Sequence, residues 1–199
     1  MSELPDWMYP PRAEGWFADD LDYLPQAPRH TELIDGALVF MMSAQRPWHS
    51  WVVSGLNTAL ESIVPEGMWP EREIAIKLDP LNRPEPDVMV VTADPDPDRT
   101  RYDVADVVLV VEVVAPESAH RDRTVKFRKY AEAGIQHYWI VEEEDGLPVV
   151  HVFELEEVTS SYVSAGIFRG TLERPVPFPV VIDLDKLVSR WKRAKSAGD

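Results

Sequence analysis

Hydrophobic positions recur along this chain at two spacings, which predict a succession of strands and helices. In residues 48–64, Val52, Val53, Leu56 and Leu60 recur at helical spacing, and a proline follows at position 65. Two further helices are predicted at residues 121–133 and 185–195. Strand-like stretches cover residues 31–41, 73–78, 84–91, 106–114, 137–144, 148–157 and 160–168. This order of elements predicts a mixed α/β layered fold.

Two of these stretches are the most informative about the layout of the sheet. Residues 106–114, DVVLVVEVV, are almost continuously apolar, which is typical of a strand covered on both faces in the middle of a sheet. In residues 31–41, apolar segments flank Asp35-Gly36, a dipeptide favoured in tight hairpin turns. Residues 92–103 are rich in Pro and Asp and predict a loop.

Length and composition restrict the class of protein. The 199 residues indicate one domain, with residues 1–28 as an irregular N-terminal arm and residues 29–199 as the domain itself. No cysteine is present, which excludes disulfides, thiolate zinc sites and a cysteine nucleophile. No apolar run reaches the ~18 residues of a membrane span, and no signal peptide is visible, so we expect a soluble, cytoplasmic protein.

The charge of the chain opposes broad attraction to nucleic acid. Lys plus Arg number 20 and Asp plus Glu number 35, which gives a formal charge of −15. Phosphate backbones attract positive surface, so an acidic protein binds them poorly without a local exception. One local exception is expected where basic residues gather between positions 121 and 129 (Arg121, Arg123, Lys126, Arg128 and Lys129).

The first candidate for chemistry is Glu112, which lies inside the apolar strand at residues 106–114. A carboxylate in such a strand is costly unless it is paired, hydrogen-bonded or bound to a metal ion. An Arg or Lys partner near the end of the strand would account for it equally well. The strand alone therefore leaves a structural and a functional interpretation open.

A second carboxylate, Asp87, begins another short apolar strand 25 residues earlier. If the two strands pair, Asp87 and Glu112 reach the same end of the sheet, where their like charges require a cation. Mg²⁺ takes oxygen ligands and is often held by one or two carboxylates with water and phosphate. Alternatively, Asp87 is a turn residue that opens a strand after two prolines.

The helix predicted at residues 121–133 carries a third polar group. Asp122, Lys126 and Lys129 are spaced to share one face, and the opposite side is apolar. A lysine beside a metal-bound phosphate can stabilise developing charge or orient the attacking water. A solvated helix face with an Asp122–Lys126 ion pair is the structural alternative.

These segments resemble the Uma2 family of the PD-(D/E)XK restriction-endonuclease-like superfamily, formerly a domain of unknown function. The resemblance is carried by PEPDVMVV, DVVLVVEVVAPES and RDRTVKFRKYAEAGIQHYWIVE, together with TELIDG and the helix that begins near His49, and it spans roughly residues 30–190. It implies a restriction-endonuclease-like mixed β-sheet flanked by helices. It also implies metal-dependent hydrolysis of phosphodiester bonds, with Mg²⁺ or Mn²⁺ as cofactor and DNA as substrate.

The resemblance assigns roles to particular residues. Asp87 and Glu112 match the two acidic positions and would hold the metal ion, while Lys126 replaces the lysine that usually lies two residues after the second acid, where this chain has Val114. Asp122 would position Lys126. Ala115 stands where the family often has Ser.

Three outer residues complete the list of candidates. Glu32 resembles the acid of the family's N-terminal motif, although an exposed strand residue would look the same. His49 shares a helical face with apolar residues, so it points inward, as a ligand or as an ordinary core histidine. Glu73 could add a carboxylate or simply face water.

Two other functions compete with a DNA endonuclease. A binding or regulatory module that keeps the fold without the chemistry would explain the displaced lysine and the acidity, and its Trp-containing arm could pack on a second copy in a homodimer. Hydrolysis of another phosphoester such as RNA is the third, although no RNA-reading motif is visible. Metal binding and cleavage assays separate these functions.

Overall fold

The computed structural model describes residues 4–40, 46–116 and 118–189. The strands are β1 (Thr31–Ile34), β2 (Ala37–Phe40), β3 (Trp69–Glu71), β4 (Ala75–Lys77), β5 (Val88–Val91), β6 (Arg101–Asp103), β7 (Val107–Val113), β8 (His137–Glu144), β9 (Leu147–Glu156), β10 (Ser161–Arg169), β11 (Thr171–Arg174) and β12 (Val180–Asp183). The α-helices of the described residues are α1 (Pro47–Glu61), α2 (Phe127–Glu132) and α3 (Leu184–Leu187), and a π-helical segment, Arg121–Lys126, leads directly into α2.

A central mixed sheet organises the fold, with strand order β10-β9-β8-β7-β5-β3. Strands β7 and β8 are parallel, whereas the other neighbouring pairs of this sheet are antiparallel. A parallel pair needs a crossover connection, and here the π-helical segment and α2 provide it. The mixed α/β fold predicted from the sequence is confirmed.

The alternation of side chains along β7 divides the core into two layers. Leu109, Val111 and Val113 face the cluster that contains α1 and α3, whereas Val110 faces the cluster that contains Tyr130 of α2. Both faces are therefore covered, as the continuous apolar sequence predicts. Because side chains alternate, Glu112 falls on the α2 side of the sheet.

The hairpin β1–β2 lies outside the central sheet. Asp35 and Gly36 form its turn with φ of 49° and 75°, the left-handed conformation that this two-residue turn requires. Residues of the N-terminal arm pack on the hairpin, since Trp16 and Ala18 form a small buried cluster with Leu33. Met41, the last residue of the predicted strand, lies outside the described residues.

Several predicted boundaries change. The first helix ends at Glu61, because residues 62–64 turn before Pro65, and β6 occupies the end of the predicted loop 92–103, where it pairs with β4. The sequence analysis missed β3, β11 and β12, whose stretches of three or four residues carry little alternation. The last helix, predicted at residues 185–195, corresponds to α3, which ends at Leu187. Residues 190–195 of that prediction lie outside the described residues.

In the three described ranges, no helix is long and apolar enough to span a membrane.

Candidate active site

Strand pairing brings the two predicted acids together. In the antiparallel pair β5–β7, Val88 lies opposite Val111, so Asp87 and Glu112 occupy the next positions at the same end. The Asp87 carboxylate is fixed there, because its Oδ2 accepts a hydrogen bond of 2.7 Å from the backbone N–H of Val113. The expectation that these two acids meet at one edge of the sheet agrees with the structure.

The crossover helix places two donors on Glu112. The Lys126 Nζ lies 2.9 Å from Glu112 Oε1, and the Tyr130 hydroxyl donates to the same oxygen over 2.8 Å. All three side chains are buried. A buried carboxylate is tolerated when it is paired and hydrogen-bonded, and Glu112 meets both conditions.

Glu32 reaches the same lysine from the hairpin. Its Oε1 lies 2.7 Å from Lys126 Nζ and accepts a 2.9 Å hydrogen bond from the backbone N–H of Glu85. The backbone carbonyl of Glu85 is a third acceptor for Lys126, at 3.2 Å. Glu32 is 2% exposed, so the alternative of a solvent-facing strand residue is wrong.

His49 and Asp122 also face this site. The Nε2 atom of His49 lies 3.2 Å from Asp87 Oδ1, so the inward histidine of α1 contacts a candidate metal ligand. The Asp122 Oδ2 accepts a short hydrogen bond from the Ser118 hydroxyl, while its Oδ1 is buried with no hydrogen-bond partner. The π-helical winding turns both Asp122 and Lys126 into the protein.

These groups surround a cavity of about 150 Å³. Its lining includes every site residue predicted from the sequence: Glu32, His49, Asp87, Glu112, Asp122 and Lys126. Four of them are carboxylates, and Lys126 is the amine that contacts two of these. The cavity is therefore rich in negative charge and open to a small cation.

Burial and the nearby charges shift the pKa values of Glu112 and Lys126. Burial raises the pKa of Glu112 well above its usual value, the Lys126 charge opposes this, and Asp122, Asp87 and Glu32 raise it further. Burial alone would lower the pKa of Lys126, but the carboxylates of Glu112 and Glu32 outweigh it, so the pKa rises and the amine stays charged. Lys126, together with Arg46 and Arg121 in the cavity lining, thus offsets only part of the negative charge of the six carboxylates that line it.

Burial and neighbouring charges also shift the pKa values of Asp122 and His49. Burial raises the pKa of Asp122 against the opposing charge of Lys126 and the Ser118 hydrogen bond. For His49, burial lowers the pKa, but the hydrogen bond and charge of Asp87 raise it by more. A cation in the cavity would stabilise the ionised carboxylates.

The chemistry of the donor set bears on which metal ion the residues could hold. Within the described residues, no group of three or more His, Asp or Glu side chains is placed to hold a metal ion. Asp87 and Glu112 supply oxygen donors, and both line the cavity. Mg²⁺ keeps several waters and is commonly held by one or two carboxylates with substrate phosphate, so these residues fit it.

The predicted basic patch is largely neutralised, in contrast to the sequence-based expectation. Each of its residues has a carboxylate partner: Arg121 with Glu32, Arg123 with Glu142, Lys126 with Glu32 and Glu112, Arg128 with Glu132 and Lys129 with Asp35. Most of these acids lie far away in the sequence, so charge counting along one helix misses them.

Sequence reasoning also missed three residues at this site. Tyr130, His30 and Glu85 are absent from the predicted site residues, yet Tyr130 donates to Glu112, and His30 and Glu85 line the cavity and contact each other. The position of Glu85 two residues before Asp87 was the available signal. Glu73 lines the cavity from an exposed position with φ of 55°.

A comparison with models of known protein families matches most of this chain. The model of the Uma2 family, described as "Putative restriction endonuclease", matches residues 18–185. The chain belongs to the Uma2 family. The match begins at residue 18, within the segment that the sequence analysis separated as an arm.

A solved structure supports the fold of this Uma2 protein. It is described as "a putative nuclease belonging to DUF820 from Anabaena variabilis ATCC 29413" and is similar with a TM-score of 0.65 over 86% of this chain and 96% of that chain. The sequence identity is 18%, so the likeness concerns the fold alone. The search of curated proteins gave no match.

Proposed function

We propose that this Uma2 protein is an endonuclease that hydrolyses phosphodiester bonds in DNA and depends on Mg²⁺ or Mn²⁺. The observation that supports it most directly is the convergence of Asp87 and Glu112 on one cavity, with Lys126 in contact with Glu112. Two acids and an amine in such an arrangement suit phosphoryl transfer. The family assignment supports a nuclease-like activity in general.

In this proposal Asp87 and Glu112 hold the metal ion. When bound, such an ion polarises the phosphate and lowers the pKa of a coordinated water molecule. Both hydrogen bonds to Glu112, from Lys126 and Tyr130, go to Oε1, which leaves Oε2 as the oxygen for a cation. His49 and the backbone of Val113 orient Asp87.

Lys126 and its neighbours prepare the site electrostatically. The Lys126 ammonium contacts both Glu112 and Glu32. In this proposal its positive charge would lie beside the bound phosphate. Asp122 lies close enough to influence the pKa of both Glu112 and Lys126. The preorganised charges would then need little rearrangement during the reaction.

DNA as substrate must be reconciled with the charge of −15. The described cations near the cavity are paired, so non-specific attraction to DNA should be weak. A bound divalent ion offsets part of the local negative charge. We therefore expect binding that depends strongly on the metal and only weakly on monovalent salt, because few phosphates would be neutralised by Lys or Arg.

Cleavage of plasmid DNA, single-stranded DNA and RNA with Mg²⁺, Mn²⁺ or EDTA tests this function. Metal-dependent cutting of DNA is expected, and Asp87→Asn or Glu112→Gln should reduce the rate by at least about 100-fold. Glu144→Gln is the matched control, since this exposed carboxylate at the end of β8 pairs with Arg169 away from the cavity. Cutting that survives both site substitutions would remove this site from the mechanism.

A catalytically inactive module that keeps the nuclease fold is the second candidate. The neutralised basic patch favours it, because such a surface offers little to attract DNA. Under this alternative, calorimetry finds no Mn²⁺ binding, and sedimentation finds the homodimer suggested by the Trp-containing arm. Mn²⁺ binding that Asp87→Asn abolishes would favour the nuclease.

A further inference from the structure

Lys126 is poorly placed to give a proton to the substrate. Three acceptors surround its ammonium: Glu32 Oε1 at 2.7 Å, Glu112 Oε1 at 2.9 Å and the Glu85 carbonyl at 3.2 Å. An ammonium carries three N–H groups, so all of them face protein oxygens. The leaving oxygen of a cut phosphodiester must receive its proton from another source.

Other cationic groups around the cavity are also unsuited to this role. His49 is buried, and its Nε2 faces Asp87. Arg46 and Arg121 also line the cavity, but a guanidinium does not release its proton in proteins. A proton donor here should be accessible, titrate near neutral pH and have one free polar atom.

His30 meets these requirements. Its side chain is 47% exposed and lines the cavity, and its Nδ1 makes a short contact with Glu85 Oε1. Because Nδ1 is engaged, Nε2 is the nitrogen left for a substrate. In catalytic sites, a carboxylate often holds one ring nitrogen of a histidine and thereby orients the other nitrogen toward the reacting group.

The backbone of Glu85 ties this histidine–carboxylate pair to the buried cluster. Its N–H donates to Glu32 Oε1 over 2.9 Å, and its carbonyl accepts from Lys126. His30 itself adopts a left-handed backbone with φ of 60°, which few residue types accept readily. The pair therefore has a fixed position relative to Lys126 and Glu112.

The charges around His30 favour the protonated ring. The hydrogen bond with Glu85 raises the pKa of His30, partial burial lowers it, and the charges of Glu85 and Glu73 raise it against that of Arg29. The net direction is upward, so the protonated ring is more favoured than in a free histidine.

We infer that His30 is the general acid of the reaction and that Glu85 is its positioning residue. This inference rests on the proposed nuclease function. As the water oxygen bonds to phosphorus, the bond from phosphorus to the leaving deoxyribose oxygen breaks, and that oxygen takes the proton from His30 Nε2. The water releases a proton to the solvent, and His30 is reprotonated from the solvent.

The test compares two substrates whose leaving groups differ in their need for a proton. A deoxyribose oxygen must be protonated, whereas 4-nitrophenolate leaves without a proton from thymidine 5′-(4-nitrophenyl phosphate). His30→Asn should reduce kcat on DNA on the order of 100-fold and change kcat on the nitrophenyl ester less than about threefold. Asparagine tolerates the left-handed backbone and still offers Glu85 an N–H donor.

Two further variants complete the design. His151→Asn is the matched control, because His151 lies on β9, 3.7 Å from Glu142 and away from the cavity lining, so both rates should stay unchanged. Glu85→Gln should reproduce the selective loss on DNA in weaker form. NMR without metal gives a readout apart from activity: the pKa of His30 should fall in Glu85→Gln.

Each other outcome counts against the inference. An equal loss on both substrates, or no loss on DNA, overturns the role of His30 and leaves the nuclease proposal intact. An unchanged pKa of His30 in Glu85→Gln removes Glu85 as the positioning residue. Wild-type protein that cuts neither substrate overturns the nuclease proposal and His30 with it.

Discussion

Two groups of charged residues in this protein use the same residue types under different conditions. The site cluster comprises Glu32, Asp87, Glu112, Asp122, Lys126 and His49. The arm cluster joins the N-terminal residues to the body and comprises Arg12, Asp19, Asp20, Asp22, Lys77, Arg83 and Arg101. The first has more carboxylates than cations, whereas the second has four cations for three carboxylates.

The site cluster and the arm cluster also differ in how deeply their side chains are buried. Glu32, Glu112 and Lys126 have side chains no more than 3% exposed, whereas Asp19 of the arm cluster is 59% exposed. Ion pairs near solvent are screened and contribute little, but buried charges depend heavily on their partners. A buried group with more carboxylates than cations beside a cavity indicates a binding site. The arm cluster, in which Arg83 alone has a buried side chain, indicates attachment of the N-terminal residues.

Removal of the Lys126 amine should give the largest difference in the free energy of unfolding between the two clusters. Lys126→Met leaves Glu32 and Glu112 buried without their cation, and we expect a loss of about 3–5 kcal/mol in the free energy of unfolding at neutral pH. Lys77→Met is the counterpart in the arm cluster and should cost less than about 1 kcal/mol. Urea unfolding of both variants measures this difference. Similar losses would mean that the two clusters are equivalent.

Metal binding should distinguish the clusters next. If Mn²⁺ occupies the proposed site in the folded chain alone, the free energy of unfolding should rise by about 2.7 kcal/mol at free Mn²⁺ of about 100 times its Kd. Asp87→Asn should lose this increase, and Asp19→Asn in the arm cluster should keep it. Thermal unfolding with Mn²⁺ and with EDTA measures both variants. An increase that persists in Asp87→Asn would place the ion elsewhere.

A pair of tyrosines tests whether the charge of the site cluster strengthens its hydrogen bonds. The Tyr130 hydroxyl donates to the Glu112 carboxylate and the Tyr162 hydroxyl to the backbone carbonyl of Ile135, each over 2.8 Å. We expect Tyr130→Phe to cost about 2 kcal/mol and Tyr162→Phe about 1 kcal/mol, because bonds to charged groups are stronger. Denaturant unfolding at one pH compares them. A larger loss in Tyr162→Phe would contradict this.

The smallest expected effect concerns a histidine outside both clusters. Burial lowers the pKa of His137 below 6.5, the Glu154 charge opposes this, and Arg174 adds to it. The unfolded chain therefore takes up the proton first as pH falls, so stability is lost from about pH 6.5 downward. His137→Gln should show a shallower decline between pH 7 and 5. Unfolding midpoints across this range test it, and an unchanged slope would remove His137 as a contributor.

The sequence predicted what depends on local pattern. β8 begins and ends where its alternation predicts, and the hairpin turn lies at Asp35-Gly36 because few other residues accept its backbone. The position of Glu112 in an apolar strand singled it out, since a buried acid must have a partner. These features are encoded within a few neighbouring residues.

Long-range pairing could not be predicted in the same way. Lys129 pairs with Asp35 and Arg121 with Glu32, across separations that no spacing rule covers, so the expected positive patch did not appear. His30 and Glu85 are 55 positions apart and become neighbours only once β1 pairs with the segment around Arg83. The roles of the site residues remain predictions for the experiments above.

The parallel pairing of β7 with β8 has a consequence for the order in which the pocket assembles. Because a helix must connect these strands, Glu112 and Lys126 are only 14 positions apart, whereas the contact between Glu32 and Glu85 spans 53. Short chain loops close at lower entropic cost than long ones. A refolding chain should acquire its acid–amine pair early and gain Glu32 only when the N-terminal hairpin docks, so pocket completion would report the last stage of folding.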